Sequence, residues 1–380
     1  MHRTLIVATT SYAGMGPYVS EIVNNFAPND GVFYFFCDHE DDFFLKNIKE
    51  NLHSKSVFFK SINSKINKIK GLLPIKRTYH DEIVRCCKEH NIQVVHFINN
   101  PAPIKIIKAL EKMNISVVST VHDLHAHESN KAWYKELRFK IIYAGLQRSL
   151  EYGKFFITNS KTQYKEIEKF YPQKKVYFHS FPSLVSKNIR KGRDVPIELQ
   201  NCMMPYILFF GRIEAYKGIS LLYDVFVSEA DLHNKYSLVI AGSGDLPFVR
   251  RENEKNVIMI NRYIRDSEVA ALYKNARVVV YPYISVTQSG VLSIAFYFGL
   301  PVLTSDLDFF REDILASKAG LLFERGNKFD LKKKLEMLLN QKMVEFAESG
   351  KMYYMQHYDG DVIRRDLLDI YKDVYEQSKK

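Results

Sequence analysis

The 380-residue sequence lacks most of the features that mark membrane-spanning, secreted or metal-stapled chains. No window approaches about 18 consecutive apolar residues, so no transmembrane helix is expected. Met1 to Thr10 passes from one Arg straight into a strand-like run without a signal-peptide cleavage pattern, which places the chain in the cytoplasm as an expectation. Only four cysteines occur, Cys37, Cys86, Cys87 and Cys202, with neither zinc spacing nor the density of a disulfide framework; they read as reduced core thiols. Internal repeats and low-complexity tracts are absent. No zinc finger, recognition helix or aromatic RNA-binding signature is found, so nucleic acid is not expected as a partner.

What is present is an ordinary globular composition: 46% apolar, 26% charged, and 54 Lys+Arg against 43 Asp+Glu for a net charge of +11. At roughly 100 to 200 residues per domain, the length suggests two domains, each able to bury its own core. The positive charge is uneven. Residues 46–77 hold nine Lys/Arg against one acid, Glu50, and within them Ile62, Ile66, Ile69 and Leu73 recur at helical spacing beside Lys65, Lys68 and Lys70. Two readings of that stripe stand: an anionic membrane surface as partner, or a solvated lysine-rich helix packed by its isoleucines.

Short β-branched and aromatic runs alternate with helical patterns along the whole chain, which predicts parallel sheets in an α/β fold. Strands are expected at Thr4–Thr10, Gly31–Cys37, Val94–Asn99, Val117–Asp123 and Phe155–Ser160. A second series follows at Tyr206–Arg212, Tyr236–Gly244, Val257–Ile264, Val278–Tyr283, Pro301–Ser305 and Gly320–Glu324. The expected organisation is two Rossmann-like, doubly wound domains facing a cleft, spanning 1–185 and 205–355. Residues 186–204 would link them, and a helix over 356–380 carries Ile363, Leu367, Ile370, Tyr371 and Val374 on one face.

Open parallel sheets bind ligands beyond the carboxyl ends of their strands, so the strand-to-helix junctions are where chemistry is expected. The first, Thr9 to Pro17, offers Gly14 and Gly16 ahead of a helix, where phosphate or sugar oxygens could approach the backbone; a tight turn explains them equally, and the dinucleotide spacing G-x-G-x-x-G is not met. The second, Val121-His122-Asp123-Leu124-His125-Ala126-His127-Glu128, clusters three histidines, but no distant ligand motif completes a metal set, and His122 reads as a sugar-contacting residue or a satisfied strand-end histidine. The third, Gly211-Arg212-Ile213-Glu214-Ala215-Tyr216-Lys217-Gly218, sets two cations five positions apart in a short glycine-flanked loop. A departing diphosphate gains charge as its bond breaks, and Arg212 with Lys217 could offset that gain. The fourth, Tyr281 to Leu292, offers Thr287, Gln288, Ser289, Gly290 and Val291 at a helix start. At two further strand ends, Gly242 could admit a ribose or phosphate and Arg262 or Tyr263 could line a base.

Gly211-Arg212 with Lys217-Gly218, then Ala241-Gly242-Ser243-Gly244, then Gln288-Ser289-Gly290 ahead of Gly299-Leu300-Pro301-Val302 resemble the retaining glycosyltransferases of family 4. The resemblance covers nearly the whole chain, because Gly14 to Gly16 and His122-Asp123 sit where that family has its amino-terminal glycine loop and cleft histidine. It implies the two-domain GT-B fold, a nucleotide-sugar donor held by the second domain, an acceptor held mainly by the first, and a last helix crossing back. It also implies His122, Arg212 and Lys217 in the reaction, the latter two on the donor diphosphate. Gly14, Gly16, Gly211, Gly242, Arg262, Tyr263, Thr287, Gln288, Ser289, Gly290 and Val291 are the donor-binding candidates. One departure is plain: the family carries two Glu residues eight positions apart at the fourth junction, and Val286 and Ile294 stand there instead.

The leading expectation is sugar transfer from a nucleoside-diphosphate sugar to a glycan or lipid-linked oligosaccharide at the cytoplasmic membrane face, as in capsule or O-antigen assembly. Retention is implied by the resemblance alone. No cofactor is expected, and no Asp-x-Asp is assigned to a strand end, so metal independence is expected. The alternative is a non-catalytic nucleotide-sugar or glycan-binding subunit of an assembly complex, suggested by the missing Glu pair. A nucleotide-sugar epimerase is permitted by fold but would need an acid/base pair that the motifs do not supply.

Overall fold

The computed structural model describes residues 2–11, 14–38, 42–60, 78–122, 124, 145, 147–286, 290–340 and 343–379. They form two α/β units, Met1–Ser180 with Gly360–Lys380, and Phe181–Asp359.

The first unit is built on seven strands: β1 (Thr4–Ala8), β2 (Val32–Asp38), β3 (Ser56–Lys60), β4 (Val94–Phe97), β5 (Ser116–Thr120), β6 (Phe155–Thr158) and β7 (Lys175–Phe178). Their order is β3-β2-β1-β4-β5-β6-β7, and every neighbouring pair is parallel. The second unit has β8 (Tyr206–Phe210), β9 (Ser237–Gly242), β10 (Val257–Asn261), β11 (Ala276–Tyr281), β12 (Val302–Ser305) and β13 (Gly320–Phe323) in the order β10-β9-β8-β11-β12-β13, again all parallel. Both sheets are doubly wound, and the strand order reverses between β1 and β4 and between β8 and β11. Central strands such as β1 and β8 read as unbroken apolar runs because residues on both faces are buried.

Two strands escaped the sequence pattern, and both are edges of the first sheet. β3 is half-exposed along its length and ends in Lys60, and β7 starts with the exposed Lys175. Edge strands lack a continuous apolar run and often carry lysine, so the signal that marks a central strand is missing.

The boundaries also differ from expectation. Residues 186–204 do not form a free linker; they pack within the second unit. The helix Lys187–Lys191 lies on the helix Asp266–Lys274. Ser186 Oγ donates to Asp266 at 2.6 Å, and Asp194 N donates to the Ser267 carbonyl at 3.1 Å. The last helix starts at Gly360, not 356, and belongs to the first unit. Its Ile363, Leu367, Ile370, Tyr371 and Val374 are buried, Arg364 pairs with Asp30, and Tyr371 Oη meets His96 Nδ1 at 2.7 Å.

All four cysteines are free thiols, and burial pushes Cys86 up to about 11 and Cys37 up to about 12. Among the described residues, no helix is long and apolar enough to cross a membrane. The helical stripe expected over Ile62 to Leu73 lies outside them. In the described part of the basic segment, Lys49 donates to the Asn24 carbonyl, Lys55 to the Pro28 carbonyl, and Lys60 pairs with Asp42 at 3.0 Å.

Candidate functional site

Where a doubly wound sheet reverses its strand order, adjacent strands send their connections to opposite faces, and a crevice opens at their carboxyl ends. In the second unit that point lies between β8 and β11. The loops leaving those two strands are the third and fourth junctions of the sequence, 211–218 and 282–290.

Backbone packs directly on backbone here. Ile284 N donates to the Tyr216 carbonyl at 2.7 Å, and Gly211 N to the Ala241 carbonyl at 3.0 Å. Gly218 has φ +63°, and a Cβ there would stand 1.8 Å from the Pro282 carbonyl oxygen. Only glycine fits that turn, which closes the loop and turns Lys217 inward.

Lys217 is 7% exposed. Its ammonium donates to Tyr283 Oη at 2.9 Å and lies 4.7 Å from the Tyr283 ring centre and 5.8 Å from that of Tyr216. Among the described residues no carboxylate comes within salt-bridge distance of it. Burial lowers its pKa below the usual lysine value. Gly211 leaves the space above it open, since a Cβ there would sit 3.1 Å from Nζ. Tyr283 is itself buried, its carbonyl accepting from Ser305 Oγ at 2.7 Å. An ammonium held by aromatic faces and a phenol, rather than by a carboxylate, is not already neutralised when an anion arrives.

Arg212 is the exposed member of the pair. Its side chain is 65% exposed, and its ion pair with Glu214 at 2.9 Å is too exposed to hold it strongly. In the connection that follows the neighbouring strand β11, Gly290 starts the helix Val291–Phe298 with no side-chain cap, leaving the positive end of the helix dipole to the first amides. Thr287, Gln288 and Ser289 lie outside the described residues. Ile294 is a core residue and Val286 packs against the core, so apolar packing occupies both positions of the absent Glu pair.

Several candidates have other duties. Arg262 does not face a base: it meets Glu268 twice at 2.9 Å and Glu198 twice at 3.0 Å, which uses up its planar fork. Gly242 has a structural reason to be glycine, because the Gly211 carbonyl oxygen stands 1.9 Å from where its Cβ would be. Gly290 is likewise filled by Leu184 and Phe181, and Gly16 by the Phe43 ring. Tyr263 is 74% exposed at the end of β10 and remains available.

An Asp-x-Asp does stand at a strand end, correcting the expectation from sequence. Asp306-Leu307-Asp308 directly follows β12 and lines, with Glu324 and Arg325, a cavity of about 370 Å³. Asp306 accepts from Arg325 N at 2.9 Å and lies 3.4 Å from Arg311. Among the described residues, no three His, Cys, Asp or Glu side chains converge to hold a metal.

In the first unit, Gly14 has φ +91° at the start of the helix Met15–Val23, with open space around it. His122 Nε2 donates to the Ile98 carbonyl at 2.9 Å, and its ring meets Tyr18 edge-on at 4.8 Å. Because a carbonyl only accepts, this bond fixes the proton on Nε2. Gln163 Nε2 donates to the His122 carbonyl, and Tyr18 Oη donates to Asn159, which also meets His179. Burial lowers His179 to about 4, so it stays neutral. Asp123, His125, His127 and Glu128 lie outside the described residues.

Sequence reasoning missed Tyr283 and Tyr216 as parts of the cation's cradle. Both stand in the two loops, but nothing local shows that Lys217 and Tyr283, 66 positions apart, turn their side chains to one point.

Residues 193–353 match the family described as Glycosyl transferases group 1. The phosphatidyl-myo-inositol mannosyltransferase of Mycobacterium leprae (strain TN) is 28% identical over 179 residues, covering 46% of this chain and 48% of that protein. This chain therefore spans about half the length of the curated relative it matches. Among solved structures, Anabaena HepE in complex with UDP aligns over 98% of this chain and 100% of its own, at 14% identity and a TM-score of 0.68. Sucrose-phosphate synthase from Thermosynechococcus elongatus aligns over 99% and 100%, at 15% identity and a TM-score of 0.67. The fold is that of the GT-B glycosyltransferases, and the segment matching the glycosyl transferases group 1 family lies within the second unit.

Proposed function

We propose that the chain is a hexosyltransferase-type glycosyltransferase that moves a sugar from a nucleoside-diphosphate sugar to a glycan acceptor carried on a lipid. The observation that carries this reading is Lys217: a buried ammonium with no carboxylate partner among the described residues, at the carboxyl edge where the sheet reverses its order. The match of residues 193–353 to the glycosyl transferases group 1 family supports it. The UDP in Anabaena HepE supports a nucleoside diphosphate as donor handle, and the M. leprae relative, a phosphatidyl-myo-inositol mannosyltransferase, supports a lipid-borne acceptor.

In this reading the glycosidic bond to the diphosphate breaks as negative charge builds on the leaving oxygens. Lys217, Arg212 and the amides at Val291 offset that charge. The acceptor hydroxyl attacks from the face the diphosphate leaves, which retains the anomeric configuration. A diphosphate oxygen takes the acceptor's proton, so no protein nucleophile is required. Two protein cations do the work often given to a divalent ion, and turnover is expected to survive EDTA. A polysaccharide pathway such as capsule or O-antigen assembly, at the inner face of the plasma membrane, fits such an acceptor. Residues 46–77 would supply the basic contact to anionic lipid; equal binding to neutral and anionic vesicles would remove that part.

The test is a thermal-shift panel of UDP, GDP, ADP and dTDP with their sugar conjugates, since a ligand at about 100 times its Kd adds about 2.7 kcal/mol. One nucleotide should stabilise the wild type and lose its effect in Arg212→Ala and Lys217→Met. If none stabilises it, the donor site is absent and the non-catalytic alternative takes its place.

A further inference from the structure

We infer that Tyr283 is the positioning residue for Lys217: its phenol oxygen and ring face stand in for a carboxylate counter-ion, holding the ammonium aimed and charged until the donor's diphosphate arrives. This inference rests on the reading of the crevice as a nucleoside-diphosphate site. The observations are the 2.9 Å hydrogen bond from Nζ to Tyr283 Oη, the ring centre 4.7 Å away, and the burial of both side chains. Tyr283 is held in turn from outside the loop, its carbonyl accepting from Ser305 Oγ at the end of β12. A glutamate at that distance would form an ion pair and compete with the diphosphate for the ammonium. A phenol gives the same aim without competing, because it stays neutral until well above neutral pH. Among the described residues, the other titratable groups that act on the ammonium are Tyr216 from its own turn and the Arg212–Glu214 pair, whose opposite charges offset each other.

Two consequences separate this role from simple packing. Removing the hydroxyl takes away an acceptor that favours the charged form, so the pH at which Lys217 loses its proton falls. It also frees the ammonium to turn away from the second phosphate. Burial already places that proton loss below the ordinary lysine range.

The experiment measures dissociation constants of UDP, GDP, ADP and dTDP and of the four matching monophosphates on the full chain, from about pH 6 to about pH 10. The variants are Tyr283→Phe, Tyr281→Phe and Lys217→Met. Tyr281 is a buried phenol bonded to Tyr273 rather than to Lys217, so its variant reports the same deletion without the contact. The preferred nucleotide should bind wild type and Tyr281→Phe more tightly as diphosphate than as monophosphate. Tyr283→Phe should lose roughly tenfold of that preference, and its affinity should fall off at lower pH than in wild type. Lys217→Met should lose the preference altogether and show no such fall. If Tyr283→Phe lowers the melting temperature but keeps both the wild-type preference and the wild-type pH midpoint, Tyr283 only packs and the inference fails while the diphosphate reading stands. If Lys217→Met leaves the preference unchanged, both fail together.

Discussion

Arg262 and Glu268 face each other through two hydrogen bonds of 2.9 Å, and the Glu268 carboxylate beneath them is only 2% exposed. Arg262 also binds Glu198, which comes from the 3₁₀ turn Ile197–Leu199, so the pair ties residues beyond 186 to the edge of the second sheet. The bonds from Arg262 hold Glu268 down at about 2, against 4.5 for a free glutamate. A carboxylate depressed in this way contributes stability that is fully present above pH 4.5 and is lost as pH falls toward 2. Arg262→Ala leaves the buried Glu268 with Arg265 as its remaining cation and should cost about 1 to 3 kcal/mol, a fall in Tm of about 2 to 10 °C. Its acid unfolding should also move to higher pH. Nucleotide affinity measured below the new Tm should stay within about twofold of wild type, since this arginine is structural.

Lys217 should behave in the opposite way. An ammonium buried against neutral partners destabilises the unliganded protein, so Lys217→Met should raise Tm while transfer falls by about a hundredfold or more. Arg212, exposed and only loosely paired, should cost little stability as Arg212→Ala and lose less activity than Lys217→Met. Thermal melts and initial rates on one preparation of each variant decide this. A Lys217→Met protein that melts lower than wild type would mean that the ammonium has a partner beyond Tyr283 and Tyr216.

Much of this architecture was legible in the sequence because parallel central strands must be apolar on both faces. Tyr206 to Phe210 and Val278 to Tyr281 announce themselves in that way, and glycines at their ends mark the loops. The loop carrying Arg212 and Lys217 was legible for the same reason. What could not be read was anything decided by a partner distant in sequence. Ser56–Lys60 pairs only along one edge, and its half-exposed residues give no run to notice. Gly242 and Gly16 look like ligand glycines, yet each is small because another part of the chain, the Gly211 carbonyl or the Phe43 ring, already fills the space. Arg262 looks like a free strand-end cation until Glu198, 64 positions earlier, is folded against it.

The two glycines of the first junction can be told apart by substitution. A Cβ on Gly16 would come within 2.5 Å of the Phe43 ring, so Gly16→Ala should cost about 1 to 3 kcal/mol through overpacking. Adding Phe43→Leu should recover most of that loss, a coupling visible in a double-mutant cycle. Gly14 has nothing within 4 Å but sits at φ +91°, so Gly14→Ala should cost about 1 kcal/mol through backbone strain, and Phe43→Leu should not recover it. Equal rescue of both variants would show that the Phe43 contact does not distinguish the two positions.

The apolar residues Val286 and Ile294, at the spacing where the resemblance to family 4 implies a Glu pair, make the last prediction. Ile294 is 2% exposed on the inner face of the helix Val291–Phe298, among the side chains that pack the second sheet. A carboxylate there meets no cation among its described neighbours, so Ile294→Glu should cost at least about 3 kcal/mol and leave the protein largely unfolded at growth temperature. Val286 is only partly buried, and Val286→Glu should fold with a loss of about 1 kcal/mol. Neither change should tighten nucleotide binding, because the crevice is organised around Lys217 and Tyr283 rather than around a glutamate. Chemical denaturation gives the two stabilities, and titration of the folded Val286→Glu protein with the preferred nucleoside diphosphate gives the affinity. An Ile294→Glu protein that folds and binds its nucleotide more tightly than wild type would show that the first turn of this helix still has room for a ribose-binding carboxylate, and that the chain has lost only the residue, not the subsite.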